Sequence, residues 1–193
     1  MRILLTAYGP FREVKENITE RVSDEIKKSW HQDDELFVLT LPVEWRGAER
    51  ALTHALEALA PDVMVSLGHA EGASVMTVEA RYFNIAEGED HCGETREGSV
   101  VDPEGNEFYD TNIDSAALLA HLAQNDIPAV VHRGVEGMSY LCNFAGYFVM
   151  RHNQDHHTQK PLFIFLHLPP RTPLPVLVNG VAESLKFLIT HSE

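Results

Sequence analysis

Arg2-Ile-Leu-Leu-Thr-Ala-Tyr8 is a short, nearly continuous apolar run near the start of the chain. A strand that shows one face to water alternates apolar and polar residues. A run without that alternation reads as a strand buried on both faces, as in a parallel sheet covered by helices. The segments after it keep the same rhythm. Ile18, Val22, Ile26 and Trp30 fall four apart and share a helix face. Leu36–Leu41 reads as a second strand ended by Pro42, and Ala48, Ala51, Leu52, Ala55, Leu56 and Leu59 mark a helix stopped by Pro61. Val63–Leu67 is a third strand, and Val75–Ile85 reads as a further one, at an edge or antiparallel. From Glu87 to Thr111 the chain turns to Gly, Asp, Glu and Asn and reads as a long surface excursion. Ile113–Gln124 is expected as a helix, Ala129–His132 as a strand, Cys142–Arg151 as a helix, Leu162–Leu168 as a strong strand and Val176–Thr190 as a closing helix. Strands alternating with helices of this length predict a three-layer α/β/α sandwich with a mixed, largely parallel central sheet, in a single domain over 1–193.

Composition narrows the function classes. Of 193 residues, 29 are acidic and 15 basic, a formal net charge of −14 with the eleven histidines neutral. Such a chain repels phosphate backbones and anionic lipid, so neither nucleic acid nor a membrane surface is the expected partner. No apolar run reaches the roughly 18 residues of a membrane span. The opening MRILLTAYGPF has too short an apolar stretch for a signal peptide, and a cytoplasmic location is expected. Two cysteines, Cys92 and Cys142, make no disulfide framework and no zinc pattern. There is no G-x-S-x-G elbow and no G-x-G-x-x-G after the first strand, and Gly88-Glu-Asp-His-Cys-Gly93-Glu-Thr has a glutamate where a phosphate loop needs lysine.

The chemistry concentrates elsewhere. Ser139-Tyr-Leu-Cys142-Asn-Phe-Ala-Gly places one cysteine where a turn containing Gly134 and Gly137 gives way to a helix. Free N–H groups at a helix start favour a thiolate, one physical route to a nucleophile, although most free cysteines are simply small buried apolar residues. A nucleophile needs a base. His167 ends the strand Leu162–Leu168 just before Pro169-Pro170, at a carboxyl edge where α/β sites assemble. Glu79 lies in the apolar stretch Val75-Met-Thr-Val-Glu79-Ala and, if buried, requires a partner; a surface-facing glutamate on an edge strand is the plainer reading. His152, His156 and His157 have metal-compatible spacing but no third ligand pattern and read as a solvated face, so no metal is expected. Cys92, beside His91, reads as an exposed thiol.

Four segments together resemble the pyroglutamyl peptidase I (pyrrolidone-carboxylate peptidase) family of cysteine peptidases. Ile3-Leu-Leu-Thr-Ala-Tyr-Gly-Pro-Phe11 is similar to its opening strand and loop, and Leu41-Pro-Val-Glu-Trp45 to its second strand end. Leu67-Gly-His-Ala-Glu-Gly72, leading through Val78-Glu79 to Asn84, resembles a third segment. Tyr140-Leu-Cys142-Asn143 with Phe165-Leu-His167-Leu-Pro169 resembles the Y-L-C-N and F-x-H-x-P motifs. The resemblance implies Cys142 as nucleophile, His167 as general base and Glu79 as its orienter, with no cofactor. It implies a small peptide substrate with a blocked N-terminus, whose pyroglutamate lies in a slot walled by Tyr8, Phe11, Val43, Tyr140 and Leu141. Homo-oligomerisation is left open.

The departures fall around that slot. Ala7 stands where the family has glycine, Arg12-Glu13 where it has two glycines, His69 where many bacterial members have glutamine, Ala73 where they have arginine and Glu136-Gly137 where an Ala-Gly pair is usual. The loop after Asn84 is also replaced. The same triad acting on another small acyl amide or cyclic imide, and a non-catalytic pyroglutamyl-binding protein, stay open beside the peptidase reading.

Overall fold

The first strand lacks apolar–polar alternation because both of its faces are covered: in β1 (Arg2–Tyr8) every residue after Arg2 is buried. A computed structural model describes residues 1–11, 14–134, 139–155 and 160–192. After β1 come α1 (Ile18–Ser29), β2 (Glu35–Leu41), α2 (Trp45–Leu59), β3 (Val63–His69), β4 (Met76–Glu79) and β5 (Arg81–Phe83). Next are β6 (Ala86–Glu89), β7 (Thr95–Ser99), β8 (Phe108–Asp110), α3 (Ser115–Gln124), β9 (Ala129–His132), α4 (Leu141–Asp155), β10 (Leu162–Leu168) and α5 (Leu174–Thr190). Six strands form the central sheet in the order β2-β1-β3-β10-β4-β9. All its neighbours are parallel except β10 and β4. The expected mixed, largely parallel sheet is therefore present.

Strand alternation sorts the core into two layers. Leu4, Tyr8, Met64, Phe163 and Phe165 face α2 and α4, packing on Trp45, Leu52, Phe144 and Tyr147. Ile3, Leu5, Val65, Ile164 and Leu166 face the other way, onto Val22 of α1, Leu118 of α3 and Val181 and Leu185 of α5. Local chemistry starts the helices. The Asn17 side chain accepts from the Thr19 N–H at 3.1 Å and caps α1, whose last turn carries Lys27 and Lys28 against the negative end of its dipole. The Asp114 carboxylate takes the N–H groups of Ala116 and Ala117 at 2.9 and 3.0 Å and caps α3.

Two expectations need correcting. The run Val75–Ile85 is not a single strand at an edge: β4 lies inside the sheet between β10 and β9, antiparallel to β10 as the other alternative had it, and β5 leaves it to pair with β8. The break is explained by Tyr82, which is wholly buried and turns back so that its hydroxyl donates to the Glu79 carbonyl at 2.9 Å. Residues 87–111 do run over the surface, but not as a loop. They hold most of the β6–β7 hairpin and β8, with Gly88 at φ +112° and Gly93 at φ +85° in backbone shapes that favour glycine.

Because α3 lies on the sheet face away from α2 and α4, its cap offers a stability probe. Asp114→Ala removes two hydrogen bonds and is expected to lower unfolding free energy by about 1 kcal/mol in urea titrations, with catalytic turnover unchanged.

Candidate active site

Three neighbouring strands bring the titratable groups together. Glu79 of β4 is opposite Phe165 in the antiparallel register with β10, so His167, two residues on, lies diagonally beside it on the same face. The Glu79 side chain is 3% exposed, and the His167 Nδ1 lies 2.7 Å from its Oε1. The plainer reading of Glu79 as a surface residue on an edge strand is thus overturned. On its other side β9 runs parallel in the register Glu79↔His132, and the His132 Nδ1 lies 2.8 Å from Oε2. An ionised carboxylate only accepts, so both histidines carry a proton on Nδ1. His167 then has Nε2 left to face Cys142, whose thiol lies close enough to act on the imidazole.

Gly68 makes the third side of that arrangement. It is the β3 register partner of His167. A Cβ there would lie 2.6 Å from the His167 Cδ2 and 2.5 Å from the Phe165 ring, so only glycine lets the imidazole lie where it does.

Cys142 comes from the opposite layer, at the second residue of α4. The first bond of the helical ladder runs from the Phe144 N–H to the Tyr140 carbonyl at 3.0 Å, so the N–H groups of Leu141, Cys142 and Asn143 precede the ladder and point out of the helix start. Asn143, fully buried, fixes this turn: its Oδ1 accepts from the Phe83 N–H at 2.7 Å and its Nδ2 donates to the carbonyls of Phe83 and Ile85 at 2.8 and 2.9 Å. The Tyr8 hydroxyl donates to the Leu141 carbonyl at 2.9 Å and so ties β1 to α4. Burial lowers the proton affinity of the His167 ring. The adjoining Cys142 and the Glu79 carboxylate bonded to Nδ1 outweigh that and push the pKa up to about 10. Burial, reinforced by the charges of Cys142 and Tyr140, pushes the Tyr8 phenol well up, so it stays a neutral donor.

Against Cys142 lies a cavity of about 120 Å³ lined by Tyr8, Phe11, Asn17, Val43, His69, Tyr140, Leu141 and the cysteine itself. It is far smaller than the roughly 300–1,000 Å³ of a pocket for a drug-sized ligand. All five expected wall residues, Tyr8, Phe11, Val43, Tyr140 and Leu141, line it. His69, one of the departures expected around the slot, joins them, as does Asn17, which the sequence does not announce. The His69 Nε2 lies 2.9 Å from the Glu71 carboxylate, while its buried Nδ1 has no hydrogen-bond partner among the described residues. The β6–β7 hairpin backs two walls. The His91 N–H donates to the Val43 carbonyl at 2.8 Å, the Tyr140 hydroxyl to the Glu89 carbonyl at 2.9 Å, and the Gly88 backbone passes against the Tyr140 ring. Asp90 locks the hairpin down, taking the N–H groups of Cys92 and Glu94 on one oxygen, both at 2.9 Å, and that of Trp45 on the other at 3.0 Å.

The family model described as pyroglutamyl peptidase matches residues 1–181. The chain belongs to the pyroglutamyl peptidase family. A pyrrolidone-carboxylate peptidase of Saccharolobus islandicus is 27% identical over 208 residues, covering 100% of this chain and 97% of its own. That of Clavibacter michiganensis is 30% identical over 173 residues, covering 88% and 79%. Among solved structures, a mutant pyrrolidone carboxyl peptidase from Pyrococcus furiosus superposes with a TM-score of 0.92 at 22% identity, over the whole of both chains. The pyrrolidone carboxyl peptidase of Fervidobacterium islandicum gives 0.92 at 24%, over 98% of this chain and 99% of that one. These two establish the shared fold.

The other candidates stay apart from this pyroglutamyl-peptidase site. Cys92 is exposed at the hairpin, and its thiol pKa is pushed up by a hydrogen bond to Glu44 and, less strongly, by burial. Among the described residues no group of three or more His, Cys, Asp or Glu is placed to hold a metal, and no helix is long and apolar enough to cross a membrane. His156, His157, Arg12-Glu13, Glu136 and Gly137 lie outside the described residues. Sequence reasoning missed Gly68, Asn17 and His132. Of these only Gly68 carried a signal, as the small residue inside an otherwise bulky strand.

Gly68→Ala forces the imidazole aside while adding a single methyl group to a buried strand. A displacement of about 1 Å at a catalytic group costs up to about a hundred-fold in rate. Steady-state kinetics on the variant should show kcat down at least about ten-fold, and an unchanged kcat would refute the steric assignment.

Proposed function

We propose that the chain is a cysteine omega-peptidase that removes N-terminal pyroglutamate from peptides, with Cys142 as nucleophile, His167 as general base and then acid, and Glu79 as the residue that orients it. The observation that supports this best is the juxtaposition of Cys142 with His167, whose far nitrogen is hydrogen-bonded to Glu79, beside a cavity sized for one small ring and lined by the cysteine. The lactam ring enters between Tyr8, Phe11, Val43, Tyr140 and Leu141. The unpartnered Nδ1 of His69 offers it a polar anchor.

The reaction then follows from the geometry. His167 Nε2 takes the thiol proton, and the sulfur adds to the pyroglutamyl carbonyl carbon. Charge gathers on the carbonyl oxygen, where the N–H groups at the start of α4 receive it. The imidazolium gives its proton to the departing peptide amine as the C–N bond breaks, leaving a thioester on Cys142. Water, deprotonated by His167, attacks the thioester. Pyroglutamic acid leaves and the thiol is restored. Such a nucleophile must stay reduced, and we place the enzyme in the cytoplasm on that ground.

The reading is tested with a fluorogenic pyroglutamyl amide in reducing buffer. Wild type is expected to hydrolyse it and Cys142→Ala to retain less than about 1% of the rate. A silent wild type that turns over another small amide would move the substrate class. The proton that His167 takes from Cys142 is held until pH rises through about 10, so kcat/KM should be sustained above neutral pH and fall beyond that point, where the acid for the leaving amine is lost. The two thiols should also diverge. At about pH 6 iodoacetamide should label Cys142 much faster than Cys92, whose thiol is pushed up by Glu44. Equal labelling rates would contradict Cys142 as the activated nucleophile.

A further inference from the structure

We infer that His132 is a positioning residue that completes a four-member line, Cys142–His167–Glu79–His132. The inference rests on the proposed roles of the first three. A carboxylate that orients a catalytic imidazole has two oxygens, and only one of them faces the imidazole. In a buried site the second oxygen must also be paired, because an unpaired charged acceptor is costly and its carboxylate turns toward any donor it can find. Among the described residues the Glu79 carboxylate takes its hydrogen bonds from two imidazoles, one per oxygen: His167 at 2.7 Å and His132 at 2.8 Å. With both oxygens engaged by donors on opposite sides, the carboxylate plane is fixed. With the plane fixed, the His167 ring is held with Nε2 toward the sulfur.

His132 is suited to that task and to no direct part in the chemistry. It lies on β9, the edge strand, on the far side of Glu79 from His167. Its side chain is 33% exposed while that of Glu79 is 3% exposed, so it stands between the buried carboxylate and water. Both the neutral Nδ1–H tautomer and the imidazolium donate from Nδ1, so the support does not depend on the charge of His132. The backbone is held independently, since the His132 carbonyl accepts from the Ala80 N–H at 2.9 Å. Replacing the side chain therefore removes the donor and leaves the strand paired.

The experiment compares His132→Leu, which keeps bulk without a donor, and His132→Ala, which removes both, with His132→Asn, whose amide nitrogen falls near the place of Nδ1. For the pyroglutamyl amide, the leucine and alanine variants are expected to lose about ten-fold or more in kcat, in the range seen when supports of a reacting group are removed. KM should change less than about two-fold. The asparagine variant should recover most of kcat. The rate of Cys142 labelling by iodoacetamide at about pH 7 should fall in the same order, and this readout needs no substrate. A wild-type enzyme inert to pyroglutamyl amides, with labelling slowed by leucine and restored by asparagine, would sink the substrate reading and uphold His132. Active wild type with leucine and alanine variants unchanged in kcat and labelling would overturn the role of His132 and leave the peptidase reading standing. Equal losses in leucine and asparagine variants would also overturn it, since the loss would then not depend on the donor.

Discussion

A glutamate buried at 3% side-chain exposure is the constraint around which the site is built. Removing a carboxylate from water is strongly unfavourable unless each oxygen finds a donor. The fold meets this need by inserting one antiparallel strand into a parallel sheet. Because β4 runs against β10 and alongside β9, Glu79 acquires a histidine on either hand, on one face and at hydrogen-bonding distance. An all-parallel arrangement would change the register on the β10 side and take His167 away. The antiparallel junction is thus tied to the chemistry as well as to the topology.

Cys142 and His167 come from different layers, so their meeting depends on ties between sheet and helix. Tyr8 reaches from β1 to the first carbonyl of α4, and Asn143 ties the same turn to β5 and the residues just after it. Tyr82 links the Glu79 carbonyl to the Phe165 N–H, at 2.9 and 3.1 Å, across the antiparallel junction. Gly146 of α4 leaves room for the Tyr82 ring, since any side chain there would collide with it. These are buried hydrogen bonds between backbone and rigid side chains, with few rotamers to lose, which is what sub-ångström placement of a sulfur beside an imidazole demands.

What the sequence made legible divides along local and non-local lines. The strands Arg2–Tyr8, Val63–Leu67 and Leu162–Leu168 are readable because an unbroken apolar run leaves few alternatives. Cys142 at a helix start and His167 before two prolines are readable for the same local reason. Glu79 shows itself as an acid in apolar surroundings, but its burial depends on residues 53 and 88 positions away, which no local pattern reveals. His132 ends a four-residue strand and has no local distinction at all. The hairpin at 86–99 was hidden by its composition: Asp90 is 7% exposed yet sits among glycines and acids that read as surface, because its three partners are backbone N–H groups.

This arrangement separates reaction from selection. The sheet holds His167 with Glu79 and His132, α4 carries Cys142, and the walls of the cavity are set largely by β1, the Pro42–Trp45 corner and the hairpin that grips it. Asp90 fastens the hairpin to Trp45, and the hairpin in turn fixes Val43 and Tyr140. None of these contacts touches Glu79 or His167. Changes in the hairpin and at His69 can therefore reshape the cavity while the hydrogen-bonded line behind it keeps its geometry. His69 and the segment after Asn84, two of the places where the sequence departs from its family's pattern, belong to these walls and their supports, so a change there reaches the shape of the cavity without reaching the bond between His167 and Glu79.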